Sequence, residues 1–230
     1  MLRIWHTLIY LGDGAVLLPC AGLLFAWLIV APTTRRMGWW WLLAVLLVGG
    51  GVTLSKLVYM ATGWHPAGWN FIGLSGHAAL SFLLWPSAAV LVTSRHRTGL
   101  RVFAVALGTG LALAIATSSW VLGDHSPVEL VLGALWGVLV AVIFLAITRR
   151  HVVEAPPLRS WAIVSLLLLV AMAFGHKFPS ARVLGWVALQ VNGRTAIHTR
   201  RDLGPWAELS KKAADGRRPD SSATRAHTPQ

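Results

Sequence analysis

The sequence predicts an all-α, polytopic integral membrane protein: a helical bundle of about six transmembrane helices with a disordered basic C-terminal tail. Three observations predict it. The 230-residue chain is 56% hydrophobic and only 12% charged, so a water-soluble fold would expose far more apolar surface than soluble monomers tolerate. Its apolar residues gather into runs long enough to cross a bilayer as helices, which takes about 20 residues and no fewer than about 17. Several of the 13 tryptophans, among them Trp39, Trp40, Trp41, Trp64, Trp69 and Trp120, fall near the ends of those runs, where amphipathic rings favour the headgroup layer as anchors.

Residues 1 to 12 alternate apolar and polar groups and suit a short interfacial helix with Arg3 and His6 toward water. Spans follow at roughly 14 to 32, 39 to 60, 75 to 93, 99 to 120, 127 to 148 and 160 to 176, the last barely long enough. Val183–Val191 is too short to cross. Gly49, Gly50, Gly51, Gly108 and Gly110 lie inside the runs, where small residues let helices approach closely. The single cysteine, Cys20, sits in an apolar stretch and is expected to behave as a small hydrophobe. No small-x-small cleavage pattern cleanly follows the first long run, which argues against a removable signal peptide. Two regions result: a membrane-embedded helical domain over 1–198, and a tail over 199–230 that is rich in Arg, Lys, Ser, Thr and Pro and has little to bury.

A formal net charge of +12 would suggest nucleic acid in a soluble protein. Here the basic residues lie mainly in short loops and the tail, where anionic lipid headgroups account for them, and no nucleic-acid partner is expected. Arg35 and Arg36 follow the first span, Arg95, Arg97 and Arg101 separate the third from the fourth, and Arg149, Arg150 and Arg159 separate the fifth from the sixth. Those loops should be cytoplasmic. The alternate loops, 61–74 and 121–126, contain no Lys or Arg, so both should face the exterior. Six spans leave the basic tail outside as well, and a five-span form would bring it inside; terminal segments obey the charge rule weakly, so six is the working expectation.

Two clusters sit where these outer loops meet apolar runs: Leu74-Ser75-Gly76-His77, and Gly123-Asp124-His125-Ser126-Pro127-Val128-Glu129. Converging polar groups at the mouth of a membrane bundle are expensive, which makes them a functional candidate. Ser75 is a natural N-cap, so the amides of Gly76 and His77 would point out of a helix start that suits a phosphate; an ordinary capped helix is the plainer reading. Ser126 to Glu129 fits a capping box with Pro127 at the first helical position. The same geometry lets Glu129 hold one imidazole nitrogen of His125 and leave the other free to attack. Asp124 reads as a solvated loop charge. Lys56, near the outer end of the second span, either snorkels to the interface or turns its ammonium to the same mouth, where it would attract a phosphate.

These residues resemble the type 2 phosphatidic acid phosphatase superfamily, whose fold is shared with vanadium haloperoxidases. Its pattern is a lysine followed six residues later by Arg-Pro; then Pro-Ser-Gly-His; then Ser-Arg, five residues, His, three residues, Asp. Ser75-Gly76-His77 matches the second part with Leu74 for proline, and Ser118-Ser119, His125 and Glu129 match the third with its spacing intact. The similarity runs over about 50–140. Ser119 stands where the family has a phosphate-binding arginine, Glu129 where it usually has aspartate, and His65-Pro66 lies two residues later than the expected Arg-Pro. An arginine from the C-terminal segment, Arg182 or Arg194, is a candidate replacement for the missing guanidinium.

The resemblance implies that His125 attacks phosphorus, that His77 is general acid and then general base, and that Glu129 orients His125. Lys56, Ser75, Gly76 and the Ser119 position would bind phosphate. No metal and no cofactor is implied. The implied substrate is a lipid phosphate such as phosphatidate, phosphatidylglycerol phosphate or polyprenyl pyrophosphate, acted on at the outer face of the cytoplasmic membrane. Partners would be that substrate and membrane lipids, with oligomeric state left open. The alternative, favoured by Ser119, is a weakly active or inactive relative with a lipid-binding or scaffolding role. A haem-carrying electron carrier fits less well, because the histidines lie at helix ends rather than as buried facing pairs.

Overall fold

A computed structural model describes residues 2–30, 32–94, 96–148, 180–192 and 197–203, and all of its regular structure there is helical. The elements are α1 (Leu2–Leu11), α2 (Gly14–Val30), α3 (Arg35–Thr62), α4 (Gly76–Val92), α5 (Thr98–Val121), α6 (Pro127–Thr148), α7 (Ser180–Asn192) and one 3-10 turn (Arg200–Asp202). The first five expected spans correspond to α2 through α6, and the expected sixth, at 160–176, lies outside the described residues.

Four stretches are long and apolar enough to cross a membrane: Arg3–Val30, Arg35–Thr62, Thr98–Val121 and Pro127–Thr148. Helix α4 has 17 residues, which at ~1.5 Å per residue is about 25 Å, short of a bilayer core of ~30 Å. Its surroundings explain the deficit. It packs mainly against α5 and α6, and Ala78, Ala79, Ser81, Phe82, Leu83, Leu84, Ser87 and Leu91 bury it on every side, so its length need not match the lipid.

The core lies between α2, α3, α4 and α6, around Leu17, Leu28, Trp41, Val48, Leu83 and Phe144. Trp41 corrects one expectation. It is no interface anchor but fully buried, with its indole N–H donating to the Ala21 carbonyl at 2.9 Å and its ring edge-on to Phe144 at 5.4 Å. The α2–α3 hairpin turns it inward, whereas Trp39, Trp64, Trp69 and Trp120 are exposed. The glycines divide in the same way. A Cβ at Gly51 would meet the Trp136 indole nitrogen at 2.6 Å, and one at Gly108 the Trp85 carbonyl at 2.8 Å, but Gly49, Gly50 and Gly110 have open space beside them and are not packing sites. The tightest approach to another helix's backbone is on α6, where Gly133 and Gly137 lie directly on the backbone of Ser75 and Ala79. That approach places the start of α6 beside the start of α4.

One end of the bundle gathers the start of α2, the end of α3, the start of α4, the end of α5 and the start of α6, tied by contacts such as Ser75 N–H to the Glu129 carbonyl at 3.0 Å. The arginines of the other end satisfy helix ends there: Arg101 donates to the Ser94 carbonyl at 2.6 Å and Arg35 to that of Ile29 at 3.5 Å. Helix α1 packs on α5 with Ile9 buried and Arg3 and His6 exposed. Thr199–Leu203, the first residues of the segment expected to be disordered, form a 3-10 turn closed by a Thr199–Asp202 capping box. Residues 204–230 lie outside the described residues.

Candidate active site

Glu129 is the centre of the site. It stands in the first turn of α6, where Ser126 and Glu129 close the expected capping box: Glu129 N–H donates to Ser126 Oγ at 3.3 Å and Ser126 N–H to Glu129 Oε2 at 3.2 Å. The carboxylate is fully buried, and a buried charge requires partners. It has several. His125 Nδ1 lies 2.9 Å from Oε2, the Ile72 amide donates to Oε1 at 2.9 Å, and Arg200 donates to Oε1 at 2.9 Å and Oε2 at 2.7 Å. An ionised carboxylate only accepts, so the proton of the His125 contact sits on Nδ1 and the lone pair on Nε2.

The His77 ring, from the first turn of α4, meets the His125 ring at 5.7 Å between centroids with planes inclined by 64°. The two histidines, 48 residues apart in sequence, therefore meet edge-on at one end of the bundle. Behind His77 lies a residue the sequence reading left unassigned. Asp13, in the turn between α1 and α2, brings Oδ2 to 3.9 Å from His77 Nε2.

The loop between α3 and α4 is folded over this end of the bundle. Ser126 Oγ–H donates to the Asn70 carbonyl, and the Leu74 amide donates to Ser55 Oγ at 2.9 Å. Gly73, at φ 135°, presses on the Lys56 stem, which a Cβ there would strike at 2.6 Å; glycine fits this close approach without strain. Lys56 lines a cavity of about 170 Å³ with Tyr59, Met60, Ile72, Leu184, His198, Thr199 and Arg200. It is in electrostatic range of both Glu129 and Arg200.

The C-terminal turn closes the far wall. Tyr59 O–H donates to the Thr199 carbonyl at 2.7 Å, the His198 amide to the Met60 carbonyl at 3.0 Å, and Arg200 to Asn70 Oδ1 as well as to Glu129. Arg200 escaped the sequence reading, which placed a replacement guanidinium at Arg182 or Arg194; the side chains of both lie outside the described residues. The available signal was the Thr199-x-x-Asp202 pattern, a capping box that marks order inside a polar tract.

The remaining candidates are distributed around the two helix starts. Ser75 is fully buried beneath Gly133 and caps α4 by accepting from the Ala78 amide at 3.4 Å. Gly76 begins α4 with only Val52 near its open side. Ser119, in the arginine position of the motif, is buried with no partner for its hydroxyl among the described residues. His65 turns Nδ1 to the Gly63 carbonyl at 3.0 Å and packs on Tyr59 at 6.0 Å. No group of three or more His, Cys, Asp or Glu among the described residues is arranged to hold a metal ion.

The sequence pattern of the PAP2 superfamily matches residues 55–152, which takes in Lys56, Ser75, Gly76, His77, Ser119, His125 and Glu129 but neither Asp13 nor Arg200. The "Uncharacterized 22.5 kDa protein in cps region" of Klebsiella pneumoniae is 34% identical over 202 residues, covering 86% of this chain and 97% of that protein. No solved structure matches the chain significantly. With two motifs joined in one site and a relative aligned along most of its length, the chain belongs to the PAP2 superfamily.

Proposed function

We propose that the chain is a membrane lipid phosphatase, hydrolysing a lipid phosphate or polyprenyl pyrophosphate at the outer face of the cytoplasmic membrane through a phosphohistidine on His125. Membership of the superfamily points to phosphatase chemistry on lipid phosphates. The observation that carries the finer assignment is the held nucleophile and its neighbour: His125 is fixed at Nδ1 by Glu129 at 2.9 Å, and a second imidazole, His77, stands 5.7 Å away. The two interhelical loops at this end, 61–74 and 121–126, contain no Lys or Arg, which supports an exterior-facing site.

In the first step the Nε2 lone pair of His125 forms a bond to phosphorus as the phosphorus–oxygen ester bond breaks. The electron pair leaves on the ester oxygen, and protonated His77 gives that oxygen its proton. In the second step neutral His77 takes a proton from water, whose oxygen bonds to phosphorus while the phosphorus–nitrogen bond breaks, releasing phosphate. Acid–base help of this kind contributes typically ~10² to 10⁴ in rate. Glu129 fixes the tautomer and stabilises the charge that develops on His125. Lys56, Arg200 and the Gly76 amide supply the positive potential and donors that a transferring phosphoryl group needs, while buried Ser75 contributes by capping α4.

Ser119 supports a second reading, a relative that binds lipid without turning it over, because a buried serine cannot replace a bidentate guanidinium. Phosphate release separates the two. Full-length protein in detergent should release phosphate from at least one of phosphatidate, phosphatidylglycerol phosphate and polyprenyl pyrophosphate, with His125→Ala at background. Equal background release by both proteins would leave the lipid-binding reading.

A further inference from the structure

A carboxylate that only capped α2 would be an expensive choice, because serine or asparagine caps a helix as well without burying a charge. Asp13 does cap it: Oδ1 accepts from the Ala15 amide at 2.8 Å, and its carbonyl accepts from the amides of Val16 and Leu17, each at 2.9 Å. The cap fixes the side chain with its other oxygen, Oδ2, directed at His77 Nε2 at 3.9 Å, and both side chains are largely buried, at 12% and 21% exposure. The preceding residue makes this approach possible. A Cβ at Gly12 would run into Ile115 of α5 and come within 3.4 Å of the His77 ring, so only a bare backbone lets the α1–α2 turn lie against that imidazole. At 3.9 Å the contact is too long for a hydrogen bond, and it becomes an ion pair when His77 carries its proton. A unit charge at that distance in a partly buried site has a substantial effect on a group that must carry a positive charge.

We infer that Asp13 is the positioning residue for His77, giving the site a second carboxylate–imidazole pair beside Glu129 and His125. The inference rests on the phosphatase assignment above, in which His77 protonates the leaving oxygen. Asp13 holds the ring and stabilises its protonated form until the ester bond breaks.

Leaving-group dependence tests this, because an acidic leaving group departs with little help from a general acid whereas an alkoxide requires it. The measurement is kcat/KM, which reports steps up to ester cleavage, for a long-chain alkyl phosphate and for p-nitrophenyl phosphate. The proteins are unmodified full-length chain, Asp13→Asn, Asp13→Ser, His77→Ala and the Asp13→Asn/His77→Ala pair. Both Asp13 substitutions retain a capping oxygen. The expected result is a loss of about tenfold on the alkyl ester and under about threefold on the nitrophenyl ester for either Asp13 variant. The double variant should be no slower than His77→Ala alone, and a further protein, Asp13→Glu, which restores the charge, should recover part of the loss. Equal losses on both esters, no loss on either, or additive losses in the pair would overturn the role of Asp13 while leaving the phosphatase assignment intact. No hydrolysis of either ester, or of the lipid substrates, by the unmodified chain would overturn both.

Discussion

The two imidazoles of the site are held by carboxylates of very different reach. Glu129 lies one helical turn beyond His125, touches Nδ1 at 2.9 Å and is itself fixed by the Ile72 and Ser126 amides and by Arg200. Asp13 comes from the far end of the chain, shares its oxygens between the α2 cap and His77, and stays 3.9 Å from the ring. The difference matches the two roles proposed. A nucleophile must keep one tautomer and one geometry throughout, so a tight, many-partnered carboxylate suits it. A general acid that becomes a general base must give up its proton and take another in every turnover, and a more distant charge steadies the ring without holding the proton fast.

Substitution at Glu129 should break the first pair with the largest effect. Glu129→Gln removes the charge while keeping the shape, leaving the Arg200 guanidinium without its anion and His125 without a fixed tautomer. Its kcat should fall by roughly 10² to 10⁴, and the loss of a buried ion-pair partner should cost about 3 kcal/mol or more of stability, read by thermal unfolding in detergent. A stable, fully active Glu129→Gln would mean that His125 is not held by this carboxylate.

Arg200→Ala should be milder, about tenfold to a hundredfold in kcat/KM, because Lys56 remains to supply positive charge. Adding Ser119→Arg to Arg200→Ala sharpens the point. Recovery of activity would show that a guanidinium from either chain position serves the phosphate, whereas no recovery would assign Arg200 to holding Glu129 alone. The smallest effect should come from the helix contact that brings the two pairs together. Gly133→Ala places a Cβ 2.6 Å from the Ser75 carbonyl and should cost roughly 1–3 kcal/mol, while Gly110→Ala, with open space around it, should stay within about 0.5 kcal/mol.

What could be read from the chain before its structure follows the same division between near and far. Helix α6 announced itself through Ser126, Pro127 and Glu129, because a capping box is a local pattern and the Glu129–His125 contact is a consequence of helix pitch. Likewise, apolar runs of bilayer length placed α2 through α6, since composition alone fixes that property. Asp13 and Arg200 belong to short turns whose partners are distant, and no periodicity marks them. Arg200 lay in a tract whose composition reads as solvated; its order comes from Tyr59, Met60, Asn70 and Glu129, none of them nearby in sequence. Trp41 failed for a related reason, because position at the end of an apolar run gives a depth in the bilayer but not a direction, and the α2–α3 hairpin turned it inward.

In the proposed mechanism His125 accepts the phosphoryl group on Nε2. The most direct test is mass spectrometry of protein quenched in base during turnover, where a phosphohistidine survives. The expected result is one phosphoryl group on the peptide bearing His125, accumulating further in His77→Ala turning over p-nitrophenyl phosphate, whose leaving group departs without the general acid while the second step still lacks its general base. A phosphoryl group on His77 instead, or steady hydrolysis with none on either histidine, would show that His125 is not the nucleophile.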